Sequence, residues 1–188
     1  MIKQRICIVG NGLSGLMTAA VLVKVPGIEV NLIAKKGTKN QDKRTTAISD
    51  TNFKFINQNI TSLGQKLFWP SKKIELFYET SKESINFLNL NEEKSNLMYV
   101  FENDKVKRIL LKEILKKKIK LIEKDLKNLN ELKDYDLIIL CIGGQSKIYD
   151  DITKNRSIKK DYKEIAITGY VRHNYKPLNT SQYFLKEG

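Results

Sequence analysis

The hydrophobic pattern opens with a short apolar run, followed by a polar, glycine-rich stretch. Residues 6–9 are consecutively apolar, which is typical of a strand buried on both faces of a sheet. Good helix formers occupy 16–24, and a second apolar segment at 28–34 begins after a Pro-Gly pair. This order predicts a strand, a helix and a second, parallel strand.

Helical and strand-like periods continue through the rest of the chain. A helix is predicted over 50–59, capped by Ser49 or Asp50, and apolar spacings of three and four predict another over 106–118. Strands are predicted at 74–80, 85–90, 99–101, 119–122, 136–142 and 165–171, with the first two antiparallel. The fold class is therefore α/β, with a Rossmann-like parallel sheet interrupted by an incomplete antiparallel sheet. The predicted domains are 1–70 with 100–160, and 71–99 with 161–188.

The turn between the first strand and its helix carries the motif G-x-G-x-x-G, formed by Gly10, Asn11, Gly12, Leu13, Ser14 and Gly15. Such a turn binds a pyrophosphate because its first glycine permits a tight turn and its second lets the phosphates approach the backbone. The third glycine lets the helix pack closely, so that the helix N-terminus faces the phosphates. The alternative is a glycine-rich turn that holds no ligand.

Composition narrows the classes of protein that the chain can belong to. Its 188 residues are enough for one domain, and no stretch approaches the ~20 apolar residues of a membrane span. Cys7 and Cys141 lie in apolar runs, which indicates reduced, packed thiols in a cytoplasmic protein. No metal-ligand cluster is present, and His173 is the only histidine, which excludes a mechanism that needs a histidine pair.

The net charge of +13 has two interpretations. It could serve a nucleic acid or an anionic membrane, or it could reflect lysines scattered over a solvated surface. The lysines are dispersed apart from Lys116, Lys117 and Lys118, and no nucleic-acid motif occurs. We therefore favour the second interpretation and expect no nucleic-acid partner, although weak adhesion to acidic lipid is compatible with it.

Three stretches resemble the FAD-dependent aromatic hydroxylases of the para-hydroxybenzoate hydroxylase type, and especially their ubiquinone-biosynthesis branch. They are I-C-I-V-G-N-G-L-S-G at 6–15, D-K-R-T-T-A-I-S at 42–49 and E-N-D-K-V-K-R-I-L at 102–110. Residues 162–166, His173 and residues 183–188 resemble later strands of that branch. The resemblance implies a monooxygenase that transfers one oxygen atom of dioxygen to a phenol ring, with FAD as cofactor and NAD(P)H as reductant.

The resemblance also implies roles for particular residues. Gly10, Gly12 and Gly15 are expected on the FAD pyrophosphate, Arg44 near the flavin or the phosphates, and Asn103 on the cofactor from the turn before its helix. Arg44 could instead be a surface cation, and Asn103 a helix N-cap. His173 is expected to be a strand surface residue, and the catalytic residues stay unassigned.

The chain also departs from the family. Ala34 replaces the acidic residue that binds the ribose, Ile142 replaces another acidic residue in the stretch 140–146, and no second Gly-Asp motif precedes Gly188. We therefore expect a C-terminally truncated or split hydroxylase of a polyprenyl phenol, cytoplasmic and peripheral to the inner membrane. The alternative is a non-catalytic or degenerate FAD-binding-like partner in a quinone-biosynthesis complex.

Overall fold

The computed structural model describes residues 3–35, 42–117, 119–143 and 179–185, together with isolated positions between 148 and 174. Contacts divide the chain into two compact units. The first consists of Met1–Asp42, Asn59–Thr61 and Asp104–Ile167, and the second of Lys43–Gln58, Ser62–Asn103 and Thr168–Gly188. This division assigns 43–58 and 62–70 to the second unit, whereas the sequence grouped them with the first; the sequence-based domain division stays a prediction.

Ten strands and three α-helices are described. In chain order they are β1 Gln4–Val9, α1 Leu13–Leu22, β2 Ile28–Ala34, β3 Thr45–Ser49, α2 Asp50–Asn59, β4 Phe68–Ser71, β5 Lys73–Glu79, β6 Ser84–Asn91, β7 Met98–Glu102, α3 Asn103–Lys116, β8 Lys120–Glu123, β9 Leu137–Leu140 and β10 Asn179–Phe184. Short 3-10 turns lie at Gln65–Leu67 and Leu129–Leu132. The fold is mixed α/β with a parallel sheet and separate antiparallel pairing, as the sequence predicts, although two smaller sheets are present where one was expected.

The first unit is built on a parallel four-stranded sheet in the order β8-β2-β1-β9. The central strand β1 is buried from Ile6 to Val9, because it has a parallel neighbour on each side and an apolar residue at every position. Val9 is in register with Ile33 of β2 and Leu140 of β9. The carboxyl ends of these three strands therefore meet at one edge of the sheet.

Helix α1 follows β1 after a turn of three residues, and begins at Leu13 rather than at the predicted residue 16. Its buried face consists of Gly15, Leu16, Ala19 and Ala20. Small residues on this face let the helix lie close to the sheet. The turn that precedes the helix is thereby held against the carboxyl end of β1.

The second unit contains an antiparallel sheet in the order β3-β7-β4. An aromatic cluster covers it: the rings of Phe53 and Tyr99 stack at 3.9 Å, and Phe68 meets Phe53 and Phe101 edge-on at 4.9 and 5.4 Å. The predicted strand at 99–101 is confirmed as β7. Strands β3 and β4 were not predicted, since both are short edge strands and β4 contains Pro70.

The third sheet has the order β10-β5-β6 and also belongs to the second unit. Strands β5 and β6 are antiparallel, as predicted, and β10 pairs with β5 in parallel. The predicted strand at 165–171 and the histidine His173 lie largely or wholly outside the described residues.

Both remaining helices are confirmed. Ser49 caps α2, because its Oγ accepts a hydrogen bond from the Asn52 N–H at 3.2 Å. Helix α3 begins at Asn103, three residues before the predicted start, and its apolar stripe of Val106, Leu110 and Ile114 is fully buried. Within the described part of the chain, no helix is both long enough and apolar enough to cross a membrane.

Candidate functional site

A cleft of about 1320 Å³ lies at the carboxyl ends of β1, β2 and β9, entirely within the first unit. Its lining includes the whole stretch from Gly10 to Ser14 and the loop that follows β8. In open parallel sheets this edge is where ligands bind, because the strand ends and helix N-termini converge there. The cleft is larger than a typical drug-sized pocket and suits an extended ligand.

Gly10 and Gly15 bring the turn and the helix into close contact. Gly10 has φ +113°, and a Cβ built on it would lie 2.2 Å from the Cys141 carbonyl oxygen. A Cβ on Gly15 would lie 1.9 Å from the Gly10 carbonyl oxygen. Both positions therefore exclude any side chain, and the reasons predicted from the motif, a tight turn and close helix packing, apply here.

Gly12 differs from the other two glycines, because a Cβ on it would meet no atom within 4 Å. It is the N-cap of α1, with φ −70° and ψ 178°, a conformation that alanine adopts equally well. Its lack of a side chain is therefore not needed for packing. The open space above it is what an approaching phosphate would require.

The N-terminus of α1 is electrostatically uncompensated within the described residues. No side chain caps it and no acidic residue lies in its first turn. The first N–H groups of a helix carry a partial positive charge and bind anions well. Together with the open Gly12 and the adjoining cleft, this geometry fits the diphosphate of a dinucleotide such as FAD.

The rim of the cleft next to β2 is mainly basic. Lys35 follows the last residue of β2, and Lys124, Asp125 and Lys127 follow β8. The Lys35 Nζ lies 3.6 Å from an Asp125 carboxylate oxygen, and both side chains are about three-quarters exposed, at 75% and 72%. This ion pair contributes little to stability, because it is screened by water.

Glu131 stabilises the conformation of the loop after β8. One of its carboxylate oxygens accepts hydrogen bonds from the N–H groups of Lys127 and Asn128, at 2.8 and 3.3 Å, and the other lies 2.7 Å from the Lys124 Nζ. The hydrogen bond from Lys124, followed by that from the Lys127 N–H, lowers the pKa of Glu131 to about 2. The Lys124 N–H also donates to the Ala34 carbonyl oxygen at 2.9 Å, so the loop is attached to the end of β2.

Both thiols of the chain are free, and neither is prepared for nucleophilic chemistry. Burial raises the pKa of Cys7 to about 11. Burial also raises the pKa of Cys141, which lines the cleft, although a hydrogen bond with Thr18 partly opposes the shift. Among the described residues no group of three or more metal-binding side chains occurs.

Arg44 and Asn103 lie together, but in the second unit. The Asn103 N–H donates to the Arg44 carbonyl oxygen at 3.0 Å, and the Asn103 Oδ1 accepts a hydrogen bond from Thr46 at 2.6 Å. Asn103 is buried and is the first residue of α3, rather than part of a turn before it, whereas Arg44 is exposed. Their predicted contacts with the cofactor stay predictions.

The two substitutions noted in the sequence have structural counterparts. Ala34, at the end of β2, is buried and presents no acceptor to a ribose. Ile142 lines the cleft and packs against the core cluster around Cys7, Val9, Ile33 and Leu132. Gly143, the next residue, also lines the cleft, whereas Gly144, Gln145 and Ser146 lie outside the described residues.

Sequence reasoning identified the glycine turn but missed the loop after β8. Lys124, Asp125 and Lys127 reach the cleft because β8 pairs in parallel with β2, with Glu123 in register with Ala34. A local signal was present, since Asn128 and Glu131 form a capping box. The pattern marks the turn but does not reveal that it lies beside the cleft.

A family described as "FAD binding domain" matches residues 3–126, which is more than half of the chain. No curated protein matches the sequence significantly. The match includes the glycine turn, Arg44, Asn103 and the start of the loop after β8, up to residue 126.

Solved structures similar to this chain share its fold at low sequence identity. They include a variant of PqsL from P. aeruginosa (TM-score 0.61, 11% identity, 85% of this chain and 48% of that one). A tryptophan halogenase from Shewanella frigidimarina has a TM-score of 0.58 and 12% identity, over 81% of this chain and 45% of that one. For p-nitrophenol 4-monooxygenase from Pseudomonas putida the TM-score is 0.51 and the identity 15%, over 64% of this chain and 31% of that one. The chain thus spans between about a third and a half of these structures' length.

Proposed function

The chain belongs to the family of FAD binding domains, and we propose that it is the FAD-binding part of a monooxygenase that hydroxylates an aromatic ring. The observation that carries the proposal is the cleft at the carboxyl ends of β1, β2 and β9. Gly12 is open there, and the N-terminus of α1 faces the cleft without an acidic residue in its first turn. FAD, reduced by NAD(P)H, would supply the chemistry of oxygen transfer.

In this proposal the residues of the chain bind and orient the cofactor. The N–H groups after Gly12 would hold the diphosphate, and Asn11, Leu13 and Ser14 would border it. Apolar residues also line the cleft; they include Val9, Ile33, Leu140 and Ile142. A cleft of this kind holds a flat, largely apolar group by burial, and its few polar groups set the orientation.

The second unit supports an apolar aromatic substrate. On one face of the β10-β5-β6 sheet the ring of Phe87 lies 5.9 Å from those of both Tyr78 and Phe184, and all three side chains are exposed. Exposed apolar groups that lie together indicate a binding surface. A polyprenyl phenol, the substrate class that the resemblance implies, has an aromatic head and an apolar tail that match such a surface. Two of the similar structures carry names of enzymes that act on aromatic compounds, tryptophan and p-nitrophenol.

A non-catalytic FAD-binding-like partner in a quinone-biosynthesis complex is the second candidate. The buried Ala34 favours it, because β2 then contributes no carboxylate to the ribose. The two candidates differ in one measurable respect: only the first requires product formation.

The experiment combines a binding test with a turnover test. The chain, freed of nucleotide, is titrated with FAD and followed by flavin fluorescence, with the Gly12→Ala variant as the matched control. Turnover is measured with the protein that the gene's complete reading frame encodes, in the presence of NAD(P)H, dioxygen and a short-chain polyprenyl phenol. The mass of the product is determined by mass spectrometry. We expect saturable FAD binding and a product heavier by one oxygen atom. FAD binding without product would favour the second candidate, and absence of FAD binding by the protein that the complete reading frame encodes would refute the first.

A further inference from the structure

We infer that Asp125 binds the adenosine ribose hydroxyls in the cleft, in place of the carboxylate that β2 lacks. The inference rests on the proposed function, since it concerns the same cleft and an adenine nucleotide. It assigns the role to a residue in the loop after a different strand, β8, at a place that the sequence motif does not mark.

The end of β2 cannot perform this role. A dinucleotide site of this type needs an acceptor for the ribose hydroxyls near the end of its second strand. Here Ala34 has no acceptor in its side chain, and Lys35 can only donate hydrogen bonds. The hydroxyls would therefore lack an anionic acceptor unless another element supplies one.

Strand β8 brings Asp125 to the required place. Glu123 is in register with Ala34, and the next residue, Lys124, donates its N–H to the Ala34 carbonyl oxygen. Asp125 thus lies immediately beyond the point where the chain is attached to the end of β2. Among the described residues that line the cleft, it is the only one with a carboxylate.

The charge and the contacts of Asp125 suit an acceptor of hydrogen bonds. Its loop is held by the contacts of Glu131 with Lys124 and Lys127, so the carboxylate is presented from a fixed backbone. The Lys35 Nζ lies 3.6 Å from an Asp125 carboxylate oxygen, which exceeds the length of a hydrogen bond. An ionised carboxylate accepts about four hydrogen bonds, so Asp125 keeps capacity for two hydroxyls while Lys35 balances its charge.

The basic rim suggests one competing ligand. Lys35, Lys124 and Lys127 outnumber the single carboxylate on the lining, and lysines bind phosphate groups. If these lysines bind a phosphate on the ribose, a 2′-phosphorylated nucleotide would bind more tightly than the same nucleotide without the 2′-phosphate. Lys124 is already engaged by Glu131, however, at 2.7 Å, which favours the hydroxyl acceptor.

The test measures binding of ADP and 2′,3′-dideoxy-ADP to the nucleotide-free chain by isothermal titration calorimetry. In the unchanged chain we expect ADP to bind about tenfold more tightly, since a hydrogen bond to a charged group is worth about that factor. Asp125→Ala should weaken the binding of ADP about tenfold and leave the binding of the dideoxy ligand unchanged, so that the two affinities become equal. The matched control is Glu123→Ala, which removes an exposed carboxylate two residues away that does not line the cleft and should change neither affinity.

The outcomes separate this inference from the proposed function. If the unchanged chain binds ADP and Asp125→Ala binds it equally well, the inference is wrong while the proposed function stands. Tighter binding of adenosine 2′,5′-bisphosphate than of AMP would also overturn the inference, because the lysines would then bind a phosphate on the ribose. If the unchanged chain binds neither ADP nor FAD, the proposed function fails and the inference fails with it.

Discussion

Replacing Gly12 by alanine should strongly weaken nucleotide binding without damaging the fold. The added methyl group would meet no atom of the protein within 4 Å, and the backbone at Gly12 suits alanine. Alanine is a poorer N-cap than glycine, so we expect a loss of stability of about 0.5 kcal/mol. The methyl group would, however, occupy the space that a diphosphate needs to reach the N–H groups of α1.

The expected loss of affinity follows from the hydrogen bonds involved. If two N–H groups of the turn lose contact with the charged phosphates, at about 1.5 kcal/mol each, ADP binding weakens by about 3 kcal/mol, or roughly 100-fold. Calorimetry with ADP measures this loss, and thermal unfolding measures the stability of the variant. Addition of ADP should raise the melting temperature of the unchanged chain but not that of Gly12→Ala.

Two further glycines provide the comparison. Gly15→Ala places a methyl group 1.9 Å from the Gly10 carbonyl oxygen, so α1 must move, at a cost of about 3 kcal/mol or more. For a chain of this size that lowers the melting temperature by about 6–12 °C. Gly64→Ala, where a methyl group meets no atom within 4 Å, should change neither stability nor binding. Undiminished ADP binding by a folded Gly12→Ala variant would refute the role of the turn as a phosphate site.

Three other predictions concern the first unit. Because burial raises the pKa of Cys7 to about 11 and also raises that of Cys141, both thiols should react with iodoacetamide at pH 8 more slowly than free cysteine, and Cys7 more slowly than Cys141, as peptide mass spectrometry will show. Rapid modification of native Cys7 would contradict the burial. The pKa of Glu131 falls from 4.5 to about 2 on folding, so the native state binds fewer protons than the unfolded state. The stability that the Glu131 carboxylate contributes is therefore present above about pH 4.5 and is lost as the pH falls towards 2. The drop in melting temperature between pH 5 and pH 2 should therefore be smaller in Glu131→Gln; an unchanged drop would show that Glu131 is not stabilised by its partners. Among the described residues, the Oδ1 of the buried Asn31 has no hydrogen-bond partner, and its Nδ2 donates a hydrogen bond of 3.2 Å to the Tyr135 hydroxyl. Asn31→Val should therefore be neutral or stabilising by up to about 2 kcal/mol in urea unfolding, and a loss above 1 kcal/mol would contradict this.

The elements predicted best from the sequence are those that neighbouring residues determine. Strand β2 begins and ends at the predicted residues, because its apolar run is flanked by a Pro-Gly pair and by lysines. The Ser49 cap and the buried stripe of α3 likewise follow from neighbouring residues. Strand β3 was missed, since its sequence T-T-A-I-S has weak alternation and it is held by pairing with β7.

The candidate site likewise has one part that neighbouring residues determine and another that depends on contacts between distant parts of the chain. The motif identified the turn from Gly10 to Ser14, because the conformations of a strand, a glycine turn and a helix are decided by adjacent residues. It did not identify Asp125 or Glu131, which are more than a hundred residues away in the chain. Their position depends on the parallel pairing of β8 with β2, a contact that no local pattern contains.

By itself the sequence determined the βαβ start of the chain, the glycine turn and the loss of an acidic residue at the end of β2. Only the tertiary structure decided that a side chain at Gly10 would meet the Cys141 carbonyl oxygen and that the space beside Gly12 is open, because both depend on elements distant in the chain. It also decided that the loop after β8 borders the same cleft. The reason is physical: backbone preference and apolar periodicity act over a few residues, whereas a binding site is formed by strand order and register.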